Sequence, residues 1–248
     1  METDKALENE RRPAFYALRG GAWRDYLTLL HPPYTLWHLS YVVMGAAASP
    51  VLRLDRLGLA LLAFFLAVGI GAHALDELHG RPLKTRIPSP ILWALAVASL
   101  AGAVAIGIYG TMVASPSLWG FIVFGSFIMA AYNLEWFDGR FHSDFWFAVS
   151  WGAFPFVATY WASSLTFSIG AALLAAACFG LSLAQRKLSL QARMLRRKVA
   201  RVEGAIEYLD GSRRVITQRT LLELPEIILR ILAVTTILLA LALLALKL

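Results

Sequence analysis

Leu57-Gly-Leu-Ala-Leu-Leu-Ala-Phe-Phe-Leu-Ala-Val-Gly-Ile-Gly-Ala-His73-Ala-Leu75 runs without a charged side chain and then meets Asp76-Glu77-Leu-His79-Gly-Arg81-Pro82-Leu-Lys84-Thr-Arg86-Ile-Pro88. A helix needs about 20 mainly apolar residues to cross the hydrocarbon core of a bilayer. The first stretch therefore reads as a membrane span, and the second as the polar loop that leaves it. The same pattern places further spans near residues 34–51, 91–109, 118–133, 145–163, 167–184 and 227–246, seven in all. Composition points the same way. Of 248 residues, 58% are hydrophobic and 16% charged, against roughly 45–50% and about 25% in a soluble domain. An ordinary globular enzyme, a disordered chain and a disulfide scaffold are excluded, the last because Cys178 is the only cysteine. The expected fold class is an all-α polytopic membrane protein.

The chain carries 23 Lys+Arg against 16 Asp+Glu, a net charge of +7. In a soluble protein that excess would suggest nucleic acid; here loops that retain Lys and Arg on one side of a membrane account for it, and no nucleic-acid partner is expected. Lys5, Arg11, Arg12, Arg19 and Arg24 precede the first span, Arg81, Lys84 and Arg86 follow the second, Arg140 follows the fourth, and ten cations between Arg186 and Arg219 follow the sixth. Only Arg53, Arg56 and Lys247 fall on the opposite side. The expected orientation has the N-terminus and the second, fourth and sixth loops in the cytoplasm. Trp37, Trp93, Trp119, Trp136, Trp146 and Trp161 lie near span ends, where amphipathic rings favour the headgroup layer.

The organisation that follows is a cytoplasmic, amphipathic N-terminal arm (1–30), a six-span core (31–185), a basic cytoplasmic insert (186–224) and a last span (225–248). In the insert, residues 186–201 repeat apolar residues at helical spacing with a basic opposite face. That pattern predicts an amphipathic helix lying on an anionic inner leaflet. Asp210-Gly211 between two β-prone runs predicts a small hairpin.

Two clusters carry the candidate chemistry. His73 with Asp76, and His73 with Glu77, are i, i+3 and i, i+4 pairs, so the three are expected on one helix face at a span end. An imidazole and two carboxylates that converge can bind a divalent cation or move a proton. Arg81, Lys84 and Arg86 follow at once and suit an anionic group such as a phosphate. The fourth loop supplies Glu135, Asp138, Arg140, His142 and Asp144 on the same side. The metal set is expected among His73, Asp76, Glu77, Asp138, His142 and Asp144, and the anion-binding set among Arg81, Lys84, Arg86 and Arg140; the resemblance described next implies that the anion is a diphosphate. A competing reading treats the charges as span terminators that snorkel into headgroups. His38 is expected to be hydrogen-bonded within the bundle, and Arg230 to snorkel.

His73-x-x-Asp76-Glu77-x-x-x-Arg81-Pro82-Leu-x-x-x-Ile87-Pro88 resembles the first acidic motif of the UbiA-type intramembrane prenyltransferases. Leu30-His31-Pro32-Pro33-Tyr34-Thr35-Leu36 is similar to that superfamily's entry into its first span, and Asp144 with Gly152 and Pro155 to its fourth-loop and fifth-span pattern. The resemblance covers roughly residues 30–185. It implies a UbiA-like helical bundle with a lipid-open cavity that binds an isoprenyl diphosphate through magnesium, ionises the allylic carbon–oxygen bond and passes the cation to an acceptor. Glu77 then matches the last motif aspartate, with His73 standing where another aspartate is usual. A histidine there suits zinc, iron or manganese better than magnesium. The second acidic motif of the family falls where this chain reads Ser182-Leu-Ala-Gln-Arg-Lys-Leu-Ser-Leu-Gln-Ala-Arg, without a carboxylate. The expected function is a UbiA-like transferase acting on an isoprenyl or lipid diphosphate. Two alternatives stay open: a metal-dependent membrane lipid oxidase or hydrolase using His73, Asp76, Glu77, His79 and His142, and a non-catalytic lipid-binding scaffold.

Overall fold

The computed structural model describes residues 12–18, 21 and 23–248; the N-terminal arm expected over 1–30 thus lies in part outside the described residues. A short helix α1 (Trp23–Leu29) leads into α2 (Pro32–Ala48), which opens on a Pro-Pro pair that suits a first helical turn. Then follow α3 (Leu54–Leu78), α4 (Ser89–Val113), α5 (Trp119–Asn133), α6 (144–164) and α7 (Ile169–Arg197). A hairpin of β1 (Ala205–Glu207) and β2 (Arg213–Val215) precedes α8 (Gln218–Ala245). Hydroxyl side chains start the later helices: Ser143, Ser168 and Thr217 accept from the backbone N–H groups of Trp146, Ala171 and Thr220. Two helices contain π-helical segments, Phe65–Ala72 in α3 and Val149–Ala153 in α6, a geometry that recurs at functional sites.

Four helices, α3, α4, α7 and α8, are long and apolar enough to cross a membrane. Val97, Leu173, Ile231 and Leu238 stand exposed on their faces, as side chains that meet lipid must. At about 1.5 Å per residue, the 17 residues of α2 and the 15 of α5 reach roughly 26 and 23 Å. The bundle is thus helical, with four helices among the described residues that are long and apolar enough to span a membrane.

The core has two centres. Trp37, Tyr41, Met44, Phe156, Tyr160, Ala175 and Ala233 join α2, α6, α7 and α8. Val68, Leu75, Leu92, Met129, Tyr132 and Trp151 join α3, α4, α5 and α6. Trp37 is fully buried and donates its ring N–H to the Tyr41 hydroxyl, so it is a core residue and not a belt anchor; Trp93, Trp119 and Trp136 remain exposed. Glycines let α6 approach both neighbours. A Cβ on Gly45 of α2 would sit 2.3 Å from the Phe156 carbonyl oxygen, and one on Gly152 would sit 2.7 Å from that of Cys178 on α7.

The insert differs from its expected form. Residues 186–197 are the continuation of α7, because Ala, Leu, Gln, Arg and Met follow one another with nothing to end the helix before Lys198. Ala192 and Leu195 of its apolar face pack on Leu222 of α8. The hairpin forms at its expected place, with Ile206 opposite Arg214 and Gly211 at φ +81° in the turn. The last helix starts at Gln218, earlier than the apolar run alone implies, because Thr217 caps it.

Candidate functional site

Glu77 is wholly buried, and its carboxylate is committed to the chain that follows it. One oxygen accepts from the Leu83 amide, the other from the amide and hydroxyl of Thr85, each at 2.9 Å. Around this anchor the loop folds back through left-handed residues at Gly80, Arg81 and Lys84. Arg81 closes it by donating to the Ile87 carbonyl and to the Ser89 hydroxyl, and the Arg86 amide donates to Asp25 beside α1. Arg81, Lys84 and Arg86 thus shape or decorate a loop, and none of the three lines either of the two cavities described below. Neighbouring residues on a helix point roughly 100° apart. That separation is why Asp76 and Glu77 part company: Asp76 and His73 face inward to a cavity, whereas Glu77 faces the loop.

The fourth loop is also tightly turned, with positive φ at Glu135, Phe137, Asp138 and Gly139. Asp138 and Arg140 are exposed there. Glu135 stands 3.9 Å from His79 and 3.8 Å from His142, so the second and fourth loops do meet. Asp144, at the start of α6, pairs with Arg186 at 3.3 Å and Lys187 at 2.5 Å. The hydrogen bond from the Lys187 ammonium, ahead of that from Arg186, holds its carboxyl below the usual carboxylate range.

What the bundle builds at this end is a cavity of about 330 Å³. Its wall takes His31, Tyr34 and His38 from the start of α2, His73 and Asp76 from the end of α3, Tyr132 from the end of α5, and His142 and Trp151 from the start of α6. The last turns of α7 add Arg186, Arg193, Arg196, Arg197 and, just past the helix, Lys198. Asp76 and Glu226 are the carboxylates that line it among the described residues.

Three of the imidazoles are held alike. The Nδ1 atoms of His38, His73 and His142 lie 2.7, 3.2 and 3.0 Å from the carbonyl oxygens of Trp151, Gly69 and Tyr132. A carbonyl can only accept, so Nδ1 carries the proton and Nε2 presents a lone pair. His31 stacks on His73 with ring centroids 4.0 Å apart, and its Nδ1 meets the Tyr16 hydroxyl at 2.9 Å. Burial, reinforced by His73, holds the His31 imidazole neutral, well below its ordinary range. Its Nε2 is buried without a partner, as are the Tyr132 hydroxyl and the Gln185 side-chain oxygen.

The arginines divide into paired and unpaired. Arg196 forms a fork on Glu226, and Arg186 reaches Asp144 while lying over the rings of Phe147 and Tyr132 at 5.2 and 6.0 Å. Arg193 donates through Nε to the Ser189 carbonyl, and Arg197 through Nε to that of Pro13. No carboxylate among the described residues pairs with Arg193, Arg197 or Lys198. Arg230 lies 4.9 Å from the Phe15 ring.

Of the expected site residues, His73, Asp76 and His142 converge, while Glu77, Asp138, Arg140, Arg81, Lys84 and Arg86 do not join them, and Asp144 acts through its ion pairs. A divalent-cation clamp needs several free oxygens that converge. The Glu77, Asp144 and Glu226 oxygens already hold donors, leaving Asp76 as the cavity carboxylate without a hydrogen bond among the described residues. Among those residues no group of three or more His, Cys, Asp or Glu side chains is placed to hold an ion. The residues present do not fit the clamp. The residues that reading the sequence missed are Tyr16, His31, Tyr132 and the arginines of α7. The spacing Arg186, Ser189, Arg193, Arg197 marks one helix stripe and was the available signal.

Comparison with known proteins finds no match: no family model fits the chain, and no curated protein or solved structure is similar to it. The class that fold and site define is a helical membrane protein with a histidine- and arginine-lined cavity at one end of its apolar bundle.

Proposed function

We propose that this protein is a multi-pass membrane protein of seven crossing helices that draws the anionic headgroup of an isoprenyl or lipid diphosphate into the cavity and transfers its chain to an acceptor, in the manner of a UbiA-like transferase. The observation that supports this most is convergence: polar residues from the ends of α3, α5 and α7 and from the starts of α2, α6 and α8 meet around one space, while the rest of each helix is apolar. The ends that meet are those that the Lys/Arg count assigns to the cytoplasm, so the cavity opens there. The arginine wall would stabilise charge that develops on a phosphate leaving group. Tyr34, Tyr132, Phe147 and Trp151 would face the carbon centre, where aromatic rings favour a cation and exclude water. His73 Nε2 and Asp76 are the groups available to take a proton from the acceptor. The chain would run towards a second, apolar cavity of about 170 Å³ lined by Phe64, Val104, Ile122 and Phe154.

The test is incubation of the protein in lipid nanodiscs with labelled prenyl diphosphates and a lipid acceptor extract. A labelled product, with diphosphate released, is expected; His73→Ala with Asp76→Asn should slow its formation by about a hundredfold or more. Absence of product with every chain length, from protein that retains its fold, overturns the proposal.

A further inference from the structure

We propose that the cavity holds a phosphate or diphosphate anion directly on guanidinium, ammonium and imidazole donors of Arg193, Arg197, Lys198 and His31, without a bridging divalent cation. The inference rests on the reading above that the cavity receives an anionic headgroup, and it departs from what the family resemblance implies about how such a group is held.

Three independent features carry it. The first is charge. Five cations face two carboxylates around the cavity, and one of those two, Glu226, is already forked by Arg196. Arg193 and Arg197 each use only Nε on a backbone carbonyl, which leaves the terminal nitrogens of both guanidinium groups as donors. They are four residues apart on α7, so both lie on one face. Planar guanidinium pairs match phosphate oxygens with two parallel hydrogen bonds each.

The second feature is unpartnered polarity. His31 is nine-tenths buried and Tyr132 is 5% exposed; both residues line the cavity, and each keeps a buried polar atom, His31 Nε2 and the Tyr132 hydroxyl, that no group among the described residues satisfies. Such atoms cost folding free energy unless something binds them. The buried Tyr16 hydroxyl has His31 Nδ1 as its acceptor. When it donates there, His31 Nε2 carries the hydrogen and is an unpartnered donor on a residue of the cavity wall. The Tyr132 hydroxyl is a second donor of the same kind.

The third feature is what the carboxylates do. A metal bridge would need several free acids at the cavity, and of those at the helix end and the start of α6 Glu77 is spent on Leu83 and Thr85 and Asp144 on Arg186 and Lys187, which leaves Asp76. The segment that lacks an acidic motif, around Arg186, is the same one that supplies the cationic wall. Cations thus stand on α7 where a metal-bridged site would carry acids.

Calorimetric titration of the detergent-purified protein with inorganic pyrophosphate, and separately with a long-chain prenyl diphosphate, each with EDTA and with magnesium, tests this. Saturable pyrophosphate binding in EDTA, changed less than about threefold by magnesium and weakened at least tenfold in Arg193→Gln/Arg197→Gln, is expected. His31→Phe should weaken it further. Binding that appears only with magnesium, or that survives loss of both arginines unchanged, overturns the inference. Should the double variant fail to fold, the magnesium dependence of the unaltered protein decides. A prenyl diphosphate that binds more tightly than pyrophosphate identifies a lipid headgroup. Equal affinity supports the anion site and overturns the lipid reading, so the two failures are distinguishable.

Discussion

At the scale of single residues, the neighbouring acids Asp76 and Glu77 show how one helical step separates structural from chemical work. Glu77→Gln replaces one carboxylate oxygen by an NH2 group that cannot accept, leaving the Leu83 or Thr85 amide without its acceptor. A buried donor left so costs roughly 1–3 kcal/mol. Thermal unfolding in detergent should therefore show a clear loss of stability for Glu77→Gln and almost none for Asp76→Asn, whose carboxylate faces the cavity without a hydrogen bond among the described residues. The opposite ranking would reverse the two roles. Both acids were legible in the sequence as residues with a purpose, but their spacing from His73 satisfies the same-face rule equally well. Only the course of residues 79–88 decides which one is claimed by the loop.

At the scale of elements, α6 is wedged between α2 and α7, and the contact distances leave no room for a methyl group on either side. Gly45→Ala and Gly152→Ala each place a Cβ against a backbone carbonyl, which cannot swing away. Each should cost roughly 1–3 kcal/mol, in line with overpacking of a fitted interface, and the two should be close to additive because they face different partners. Unfolding of the single and double variants checks this; a neutral Gly152→Ala would mean that α7 packs elsewhere. Because Gly152 lies in the π-helical segment beside Trp151, Gly152→Ala should also weaken ligand binding at the cavity. The sequence shows Gly152 and Pro155 inside a span but cannot say which neighbour comes close. It shows residues 186–197 as helical and amphipathic for the right reason, their periodicity. The periodic face says that something is covered and leaves open whether lipid or protein covers it; here α8 does.

At the scale of the whole molecule, the apolar helices and the uneven distribution of Lys and Arg predict a sided topology. On a Cys178→Ala background, Thr166→Cys between α6 and α7 should react with a membrane-impermeant maleimide from outside intact cells. Ser212→Cys, in the hairpin between α7 and α8, should react only after the membrane is opened. Labelling of both from one side would remove the seven-span arrangement. By itself, the sequence determined that the chain is helical, apolar enough for a bilayer and basic at alternate loops, because length, hydropathy and charge are sums over local residues. It also determined that His73, Asp76 and His142 are residues of interest. The tertiary structure alone decided that the cations of the site come from α7 and not from the loop after α3, and that Glu77, Asp144 and Glu226 already hold donors. Those outcomes depend on which helix ends meet across 42 to 184 positions of chain, and pairings over such distances are settled by packing between helices, on which local spacing is silent.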